Sequence, residues 1–248
     1  MTRFFITDAQ ITGNQIFLNA DDSHHIAKVL RLKAGDEILC PNGRGQLYRV
    51  VLQSLDPVQA VGEIVAATQE YSEPQLQITL AQCLPKGERW DFILQKCTEL
   101  GVSNFQPLYS ERTVVQIKSD DQAKKRERWQ KIVQEAAEQS QRGKCPVVLE
   151  PMPYERFLQR FASYDAVLLA WEKEAANSLL PVLQSISQPQ RIALIVGPEG
   201  GITSQEAASA IAAGAKSVSF GPRILRAETA AMAFCTMVMY HYHEMGNA

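Results

Sequence analysis

The stretch Arg191-Ile-Ala-Leu-Ile-Val-Gly-Pro-Glu-Gly-Gly-Ile-Thr-Ser-Gln-Glu206 constrains this chain more than any other. Its apolar run ends abruptly at Gly197-Pro198 and Gly200-Gly201, the pattern of a buried strand that feeds a tight turn. Thr203 and Glu206 then have the spacing of a capping box, so the turn opens directly into a helix expected to run through Ala213. Strand, glycine turn and helix N-terminus together resemble a nucleotide cradle. Neither a G-x-G-x-x-G fingerprint nor a G-x-x-x-x-G-K-[ST] loop is present, and Glu199 stands inside the turn, where a phosphate would meet a carboxylate. A nucleoside with a positive centre, such as S-adenosylmethionine, suits such a turn better; the plain alternative is a sharp βα corner.

Composition narrows the classes. The 248 residues suffice for one large domain or two small ones, and 46% hydrophobic with 21% charged residues is ordinary for a globular chain. No apolar run is long enough to span a bilayer, and Met1-Thr-Arg-Phe-Phe is soon followed by Asp8, which predicts neither a membrane helix nor a signal peptide and hence a cytoplasmic protein. Cys40, Cys83, Cys97, Cys145 and Cys235 show no C-x-x-C spacing, so reduced buried thiols are expected and no metal. A net charge of −2 excludes a globally basic nucleic-acid protein and leaves room only for a local patch.

Residues 1–72 carry short apolar runs, Phe4–Ile6, Gln15–Leu18, Glu37–Cys40, Leu47–Leu52 and Ala60–Val65, separated by turn formers; this predicts a small β-barrel. One helix interrupts it, with Asp21 or Asp22 as N-cap and Ile26, Val29 and Leu30 as its apolar stripe. His24, Lys28 and Arg31 share the opposite face, with His25, Lys33 and Arg44 nearby in sequence, and form either an RNA-phosphate contact or a solvated face. Thr68–Gln75 reads as the linker to a second domain, 73–248.

There, apolar strands alternate with helices. Strands are expected at Leu76–Ala81, Phe105–Leu108, Val147–Leu149, Asp165–Ala170, Arg191–Val196 and Lys216–Phe220. Helices are expected over Gly87–Leu100, Asp120–Gln141, Tyr154–Phe161 and Asn177–Ser185, the second with a solvated basic start at Lys124, Lys125, Arg126 and Arg128. This is the alternation of an α/β domain with a mostly parallel sheet, whose ligands bind beyond the carboxyl ends of the strands. A last helix through Glu244 is apolar almost all round, with Ala231, Phe234, Cys235, Val238 and Tyr242 on one stripe and Met232, Met237 and Met239 beside it. Such a helix is buried in its own domain or against a second subunit.

Ile195-Val-Gly-Pro-Glu-Gly-Gly201 together with Leu225-Arg-Ala-Glu-Thr-Ala230 resembles the ribosomal RNA small subunit methyltransferase E family. Gln95-Lys-Cys-Thr-Glu-Leu-Gly-Val102, Ser110-Glu-Arg112, Glu138-Gln-Ser-Gln-Arg142 and the His24-His25-x-x-x-Val29-Leu30-Arg31 element extend the resemblance over essentially the whole chain. Ala227 and Ile202 depart from it, where threonine and phenylalanine are common. The resemblance implies methylation of N3 of one uridine in 16S ribosomal RNA, with S-adenosylmethionine as cofactor. It also implies a SPOUT-type sheet with a C-terminal trefoil knot, a PUA-like N-terminal β-barrel, and a homodimer formed through the C-terminal domain. Rival readings are a SPOUT methyltransferase acting on transfer RNA or another base, and a catalytically silent RNA-binding module.

By the same resemblance the cofactor lies among three turns: Leu169, Ala170 and Trp171; Val196, Gly197, Pro198, Glu199, Gly200 and Gly201; and Phe220, Gly221, Ile224, Leu225 and Arg226 with Thr229. Ile195, Ile224 and Leu225 would supply apolar walls. Arg226 is expected to stabilise a uridine anion, or else to pair with Glu199 or Glu228. Glu228 is either a general base or an acid favoured in the first turn of the last helix. Glu99 is expected to be structural, and Arg112 and Arg142 to be RNA contacts.

Overall fold

The computed structural model describes residues 1–69 and 73–245, so that 70–72 of the expected linker lie outside the described residues. The chain forms two compact units, Met1–Glu73 with Ala137–Cys145, and Pro74–Ala136 with Pro146–Ala248.

The first unit contains β1 (Ile11–Thr12), β2 (Gln15–Phe17), α1 (Ala20–His24), β3 (Glu37–Pro41), β4 (Gln46–Leu55) and β5 (Ala60–Gln69). The strands pair antiparallel in the order β1-β2-β5-β4-β3, which leaves β1 and β3 as the edges of a sheet. Phe4–Ile6, expected as a strand, lies along β3 instead: the Phe4 N–H donates to the Leu39 carbonyl and the Ile6 N–H to the Pro41 carbonyl, both at 3.0 Å. Alternating Ile38 and Cys40, then Val50 and Leu52, point into a core closed by Phe4, Ile6, Ile16, Leu18 and Ile26. Thr68 and Gln69, expected in the linker, are the last residues of β5.

The helix of this unit differs from the expected one in two ways. Its N-cap is Asn19, whose side chain accepts the Asp22 N–H at 2.8 Å while its amide donates to the Asp22 carboxylate at 2.7 Å. After His24 the backbone continues as a π-helix over His25–Leu30 and ends at Arg31 in the left-handed region, φ 54°. The wider winding breaks the 3.6-residue repeat, so Ile26 is buried while Val29 is 63% exposed and Leu30 36%.

Arg142, expected to touch RNA, is instead 5% exposed and tied to Glu73. Its Nε and Nη2 donate to the two Glu73 oxygens at 3.2 and 2.7 Å, and the Gly143 and Lys144 N–H groups reach the same carboxylate at 3.0 Å. A bidentate pair with two further donors is a closed structural unit, and the guanidinium is not offered to a ligand.

The second unit runs β6 (Gln77–Cys83), α2 (Arg89–Glu99), β7 (Asn104–Tyr109), α3 (Ser119–Gln139), β8 (Val147–Val148), β9 (Met152–Pro153) and α4 (Tyr154–Leu158). It continues through β10 (Ala166–Ala170), α5 (Leu179–Gln184), β11 (Arg191–Val196), α6 (Ser204–Ala212), β12 (Lys216–Val218) and α7 (Ala227–His241). The end of α3 falls in the first unit. All pairings in this sheet are parallel, in the order β12-β10-β11-β6-β7-β8, with β9 also on β7. β6 and β11 are buried on both faces from their second residue on, as expected of strands covered by helices on both sides.

The apolar α7 is accounted for largely within its own unit: it packs on α2, β6 and β11 through Ala231, Phe234, Cys235, Val238 and Met239. Its end is held where Glu244 accepts the N–H groups of Gln75 and Leu76 at 3.0 and 2.9 Å. Cys83, Cys97 and Cys235 are buried free thiols in this unit, and burial pushes the Cys83 thiol up to about 12.

Glu73→Gln should lower the unfolding free energy by roughly 1.5 to 3 kcal/mol, because it weakens the charge-assisted bonds that the Glu73 carboxylate receives from Arg142, Gly143 and Lys144. Chemical denaturation of the variant beside the wild type measures this, and an unchanged midpoint would mean that the pair contributes nothing.

Candidate active site

β12, β10, β11 and β6 are parallel neighbours, so the turns that follow them emerge at one edge of the sheet. Local chemistry shapes each turn. After β11 the chain closes at Pro198–Gly201, where the Gly201 N–H donates to the Pro198 carbonyl at 2.8 Å. Gly201 has φ 72°, and a Cβ there would sit 2.7 Å from a Glu172 oxygen; a Cβ on Gly200 would lie 3.2 Å from the Arg112 Cβ. The expected capping box follows: the Glu206 N–H donates to Thr203 Oγ1 at 3.2 Å and the Thr203 N–H to Glu206 Oε2 at 3.0 Å. Glu206 is 6% exposed and also accepts the Glu111 N–H at 2.8 Å, which ties the turn after β7 to the start of α6.

Neighbouring turns converge on the glycines. The Trp171 indole N–H donates to the Ile202 carbonyl at 3.3 Å and its backbone N–H to Val218 at 3.2 Å, which joins the turn after β10 to β12 and to the glycine turn. Arg112 Nη1 donates to the Gly200 carbonyl at 2.6 Å. Gln82, fully buried on β6, donates its amide to the carbonyls of Val196 and Gly197 at 3.3 and 3.0 Å. Beyond β12, Gly221 takes φ 98°, and Phe220 stacks edge-on against Phe234 of α7 with ring centroids 4.8 Å apart.

Several expected residues have other surroundings. Leu169, Ile195 and Val196 are buried strand residues, so only their main chains border the turns. Ile224 is 85% exposed on the turn after β12 and walls nothing in. Leu225 is half-buried, whereas Arg226 and Thr229 are exposed at the start of α7. In the first unit His24, Lys28 and Arg31 are exposed, whereas His25 turns its ring edge-on to Phe4, 5.9 Å between centroids.

The acidic and basic groups pair differently from either expected arrangement. Arg226 is the N-cap residue of α7 and pairs with neither Glu199 nor Glu228; the cation at those carboxylates is Arg89, the first residue of α2. Arg89 Nη1 contacts Glu199 Oε1, and its Nε lies 3.8 Å from Glu228 Oε2. Glu199 Oε1 also accepts the Lys86 N–H at 2.9 Å. Burial pushes the Glu199 carboxyl up, but the N–H groups of Glu199 and Lys86 and the Arg89 guanidinium outweigh it and hold the group below its ordinary 4.5. Glu199 is therefore an anchor of the turn whose charge Arg89 already faces, rather than a lone carboxylate confronting a ligand. Sequence inspection missed Arg89 and Gln82, and the only signal for them was their place just after, or at the end of, a strand whose carboxyl end borders the site.

An RNA methyltransferase domain matches residues 72–239, and an RNA methyltransferase PUA domain matches 18–65. The chain is 33% identical to ribosomal RNA small subunit methyltransferase E of Bacillus subtilis, over 97% of this chain and 96% of that one. The chain belongs to the ribosomal RNA small subunit methyltransferase E family. The family's Synechocystis member is 37% identical over 92% of this chain and 74% of its own. The family's Neisseria gonorrhoeae member, whose crystal structure has S-adenosylmethionine bound, superposes with a TM-score of 0.86 at 36% identity, over 97% of both chains. The antiparallel sheet of the first unit is accordingly PUA-like, and the parallel sheet of the second is that of the methyltransferase.

Because the Glu199 carboxyl is held below its unfolded value, its stabilising contribution is complete above about pH 4.5 and is lost as the pH falls through the lower folded value. Glu199→Gln should therefore flatten the acid side of the stability profile between about pH 6 and pH 3, measured by denaturant unfolding at fixed ionic strength. Parallel profiles for wild type and variant would mean that folding leaves the Glu199 carboxyl at its ordinary value and overturn the anchor.

Proposed function

We propose that this protein is the methyltransferase that modifies N3 of one uridine in 16S ribosomal RNA, using S-adenosylmethionine. The observation that carries the catalytic assignment is that Arg226 is exposed and free of both carboxylates expected to compete for it, since Arg89 occupies them. A cation unspent on an ion pair is available to charge that develops on a substrate.

The turns fit the cofactor's chemistry. The main-chain groups around Gly197–Gly201 and Phe220–Leu225 suit an adenine edge, and Trp171, Leu225 and Phe220 offer apolar surface. Of the nearby carboxylates, Glu172, which lies against Gly201, rather than Glu199 is the one suited to a sulfonium. When bound, S-adenosylmethionine supplies an electrophilic methyl group. The protein's part is to make the uridine nitrogen a nucleophile. Glu228 has its Oε2 buried without a hydrogen bond and takes the N3 proton; Arg226 stabilises the negative charge left on the uracil O2 or O4.

Residues 73–248, apart from the Ala137–Cys145 segment that joins the first unit, are the catalytic domain and 1–72 an RNA-binding domain, in which His24, Lys28 and Arg31 contact phosphates. Arg112, on the turn after β7, contacts RNA beside the glycine turn that it braces. The C-terminal segment is threaded as the SPOUT trefoil knot, and α7 forms a homodimer with its counterpart through exposed residues such as Met237 and Tyr240. The enzyme works in the cytoplasm, where ribosomal subunits are assembled.

The test is to incubate the protein with labelled cofactor and small-subunit RNA that lacks the modification, then digest the RNA and identify the labelled nucleoside by mass spectrometry. N3-methyluridine is expected. Label on another base, or on transfer RNA alone, overturns the assignment. Arg226→Gln should lower kcat by roughly 100-fold, the usual scale for one lost oxyanion donor, with cofactor affinity unchanged.

A further inference from the structure

Arg89 occupies a place where local preference argues against it. It is the first residue of α2, at the positive end of the helix dipole, and the Glu88 side chain before it makes no capping bond. A cation there is retained against its local environment, which is characteristic of residues placed for a site.

We propose that Arg89 is a positioning residue of the methyl-transfer site: it clamps the glycine turn to the first turn of α7 through Glu199 and Glu228 and so keeps Arg226 free for substrate. This rests on the reading of Arg226 and Glu228 given above. The two contacts use different edges of the guanidinium, Nη1 toward Glu199 and Nε toward Glu228 at 3.8 Å. A lysine has a single ammonium and cannot span both carboxylates in this way. The Lys86 N–H at 2.9 Å fixes the same Glu199 oxygen, so the glycine turn is referenced to the segment between β6 and α2 by main chain as well as side chain.

Glu228 makes the clamp consequential. Its side chain is 16% exposed and its Oε2 is buried with no hydrogen bond, so among the described residues Arg89 is the cation that compensates it. Without Arg89, Glu199 would keep only main-chain donors and Glu228, two residues along the chain from Arg226, would lose its cation, so that an ion pair of Arg226 with Glu228 would draw Arg226 away from the uracil. One substitution should therefore affect both sides of the pocket: cofactor affinity through the glycine turn and turnover through Arg226.

The experiment compares wild type, Arg89→Met, Arg89→Lys, Glu199→Gln and the Arg89→Met/Glu199→Gln double variant. It measures S-adenosylmethionine binding by calorimetry, kcat on small-subunit RNA, and thermal unfolding. Arg89→Met and Glu199→Gln should each weaken cofactor binding about tenfold, the scale of one charge-assisted hydrogen bond, and the double variant should be no weaker than either. Arg89→Met should also lower kcat about tenfold, with Arg89→Lys intermediate. Wild-type affinity and turnover in Arg89→Met overturn the proposal, as does a double variant whose loss is the product of the two single losses. A lowered unfolding temperature with unchanged affinity and kcat also overturns it, since that is a purely structural role. Should Arg89→Met not fold, Glu199→Gln and Arg89→Lys decide by the same affinity comparison. Wild type that yields no N3-methyluridine while the affinity losses appear as stated removes the functional reading and leaves the clamp on the glycine turn standing.

Discussion

The parallel pairing of β11 between β6 and β10 is the constraint on which the rest of the site depends. β11 enters the sheet after β10 in the chain yet lies between β10 and β6, in register from Ile192 against Ile78 and against Ala166. Chain order thus reverses within a few strands, and parallel direction puts every following turn on the same edge. The glycine turn, Trp171, the Lys86–Arg89 segment and Ser110–Arg112 come from four parts of the chain and meet only because the ladder aligns them. Burial of β11 on both faces leaves that register little freedom to slip.

Within that frame, three carboxylates near the glycine turn differ in how their charge is met. Glu206 is buried but satisfied by N–H groups of Thr203 and Glu111 and by the Thr203 hydroxyl, so it serves the fold. Glu199 has the Lys86 N–H and a direct contact with Arg89, so it anchors the turn. Glu228 has a cation at 3.8 Å and a buried oxygen without a hydrogen bond. A buried carboxylate oxygen is costly unless a donor or a cation meets it, so Glu206 and Glu199 lean on donors of the fold and Glu228 on the Arg89 guanidinium. The three carboxylates thus differ in whether main chain, side chain or a distant cation meets their charge.

What could be read from the chain follows the sequence separation of the partners. The capping box was legible because Thr203 and Glu206 are three residues apart. The strands β10 and β11 were legible as uninterrupted apolar runs, and β6 as apolar residues interrupted by Gln77 and Thr79. The π turn after His24 was not, since its apolar residues fit a 3.6-residue stripe that the wider winding then dismantles. Arg142 read as a ligand contact because Glu73 is 69 residues away, and Glu199 was matched with Arg226, if with any cation, because Arg89 is 110 residues away. Charge in a sequence shows where an interaction is needed; its partner is settled by the topology.

The glycines show the same dependence from the other side. Gly200 and Gly201 disfavour side chains for separate reasons, a tight approach to the Arg112 stem in one case and a left-handed backbone beneath Glu172 in the other. A turn with so few side chains of its own cannot hold its shape by itself. Its shape is imposed from outside: Gln82 on the Gly197 carbonyl, Arg112 on the Gly200 carbonyl, Trp171 on the Ile202 carbonyl and Arg89 on the Glu199 carboxylate. These braces come from β6, from the turns after β7 and β10, and from α2, none adjacent in sequence to the turn. The conformation that a ligand meets is thus a property of the assembled sheet edge, and substitutions in those distant braces act on the site as directly as substitutions in the glycine turn itself.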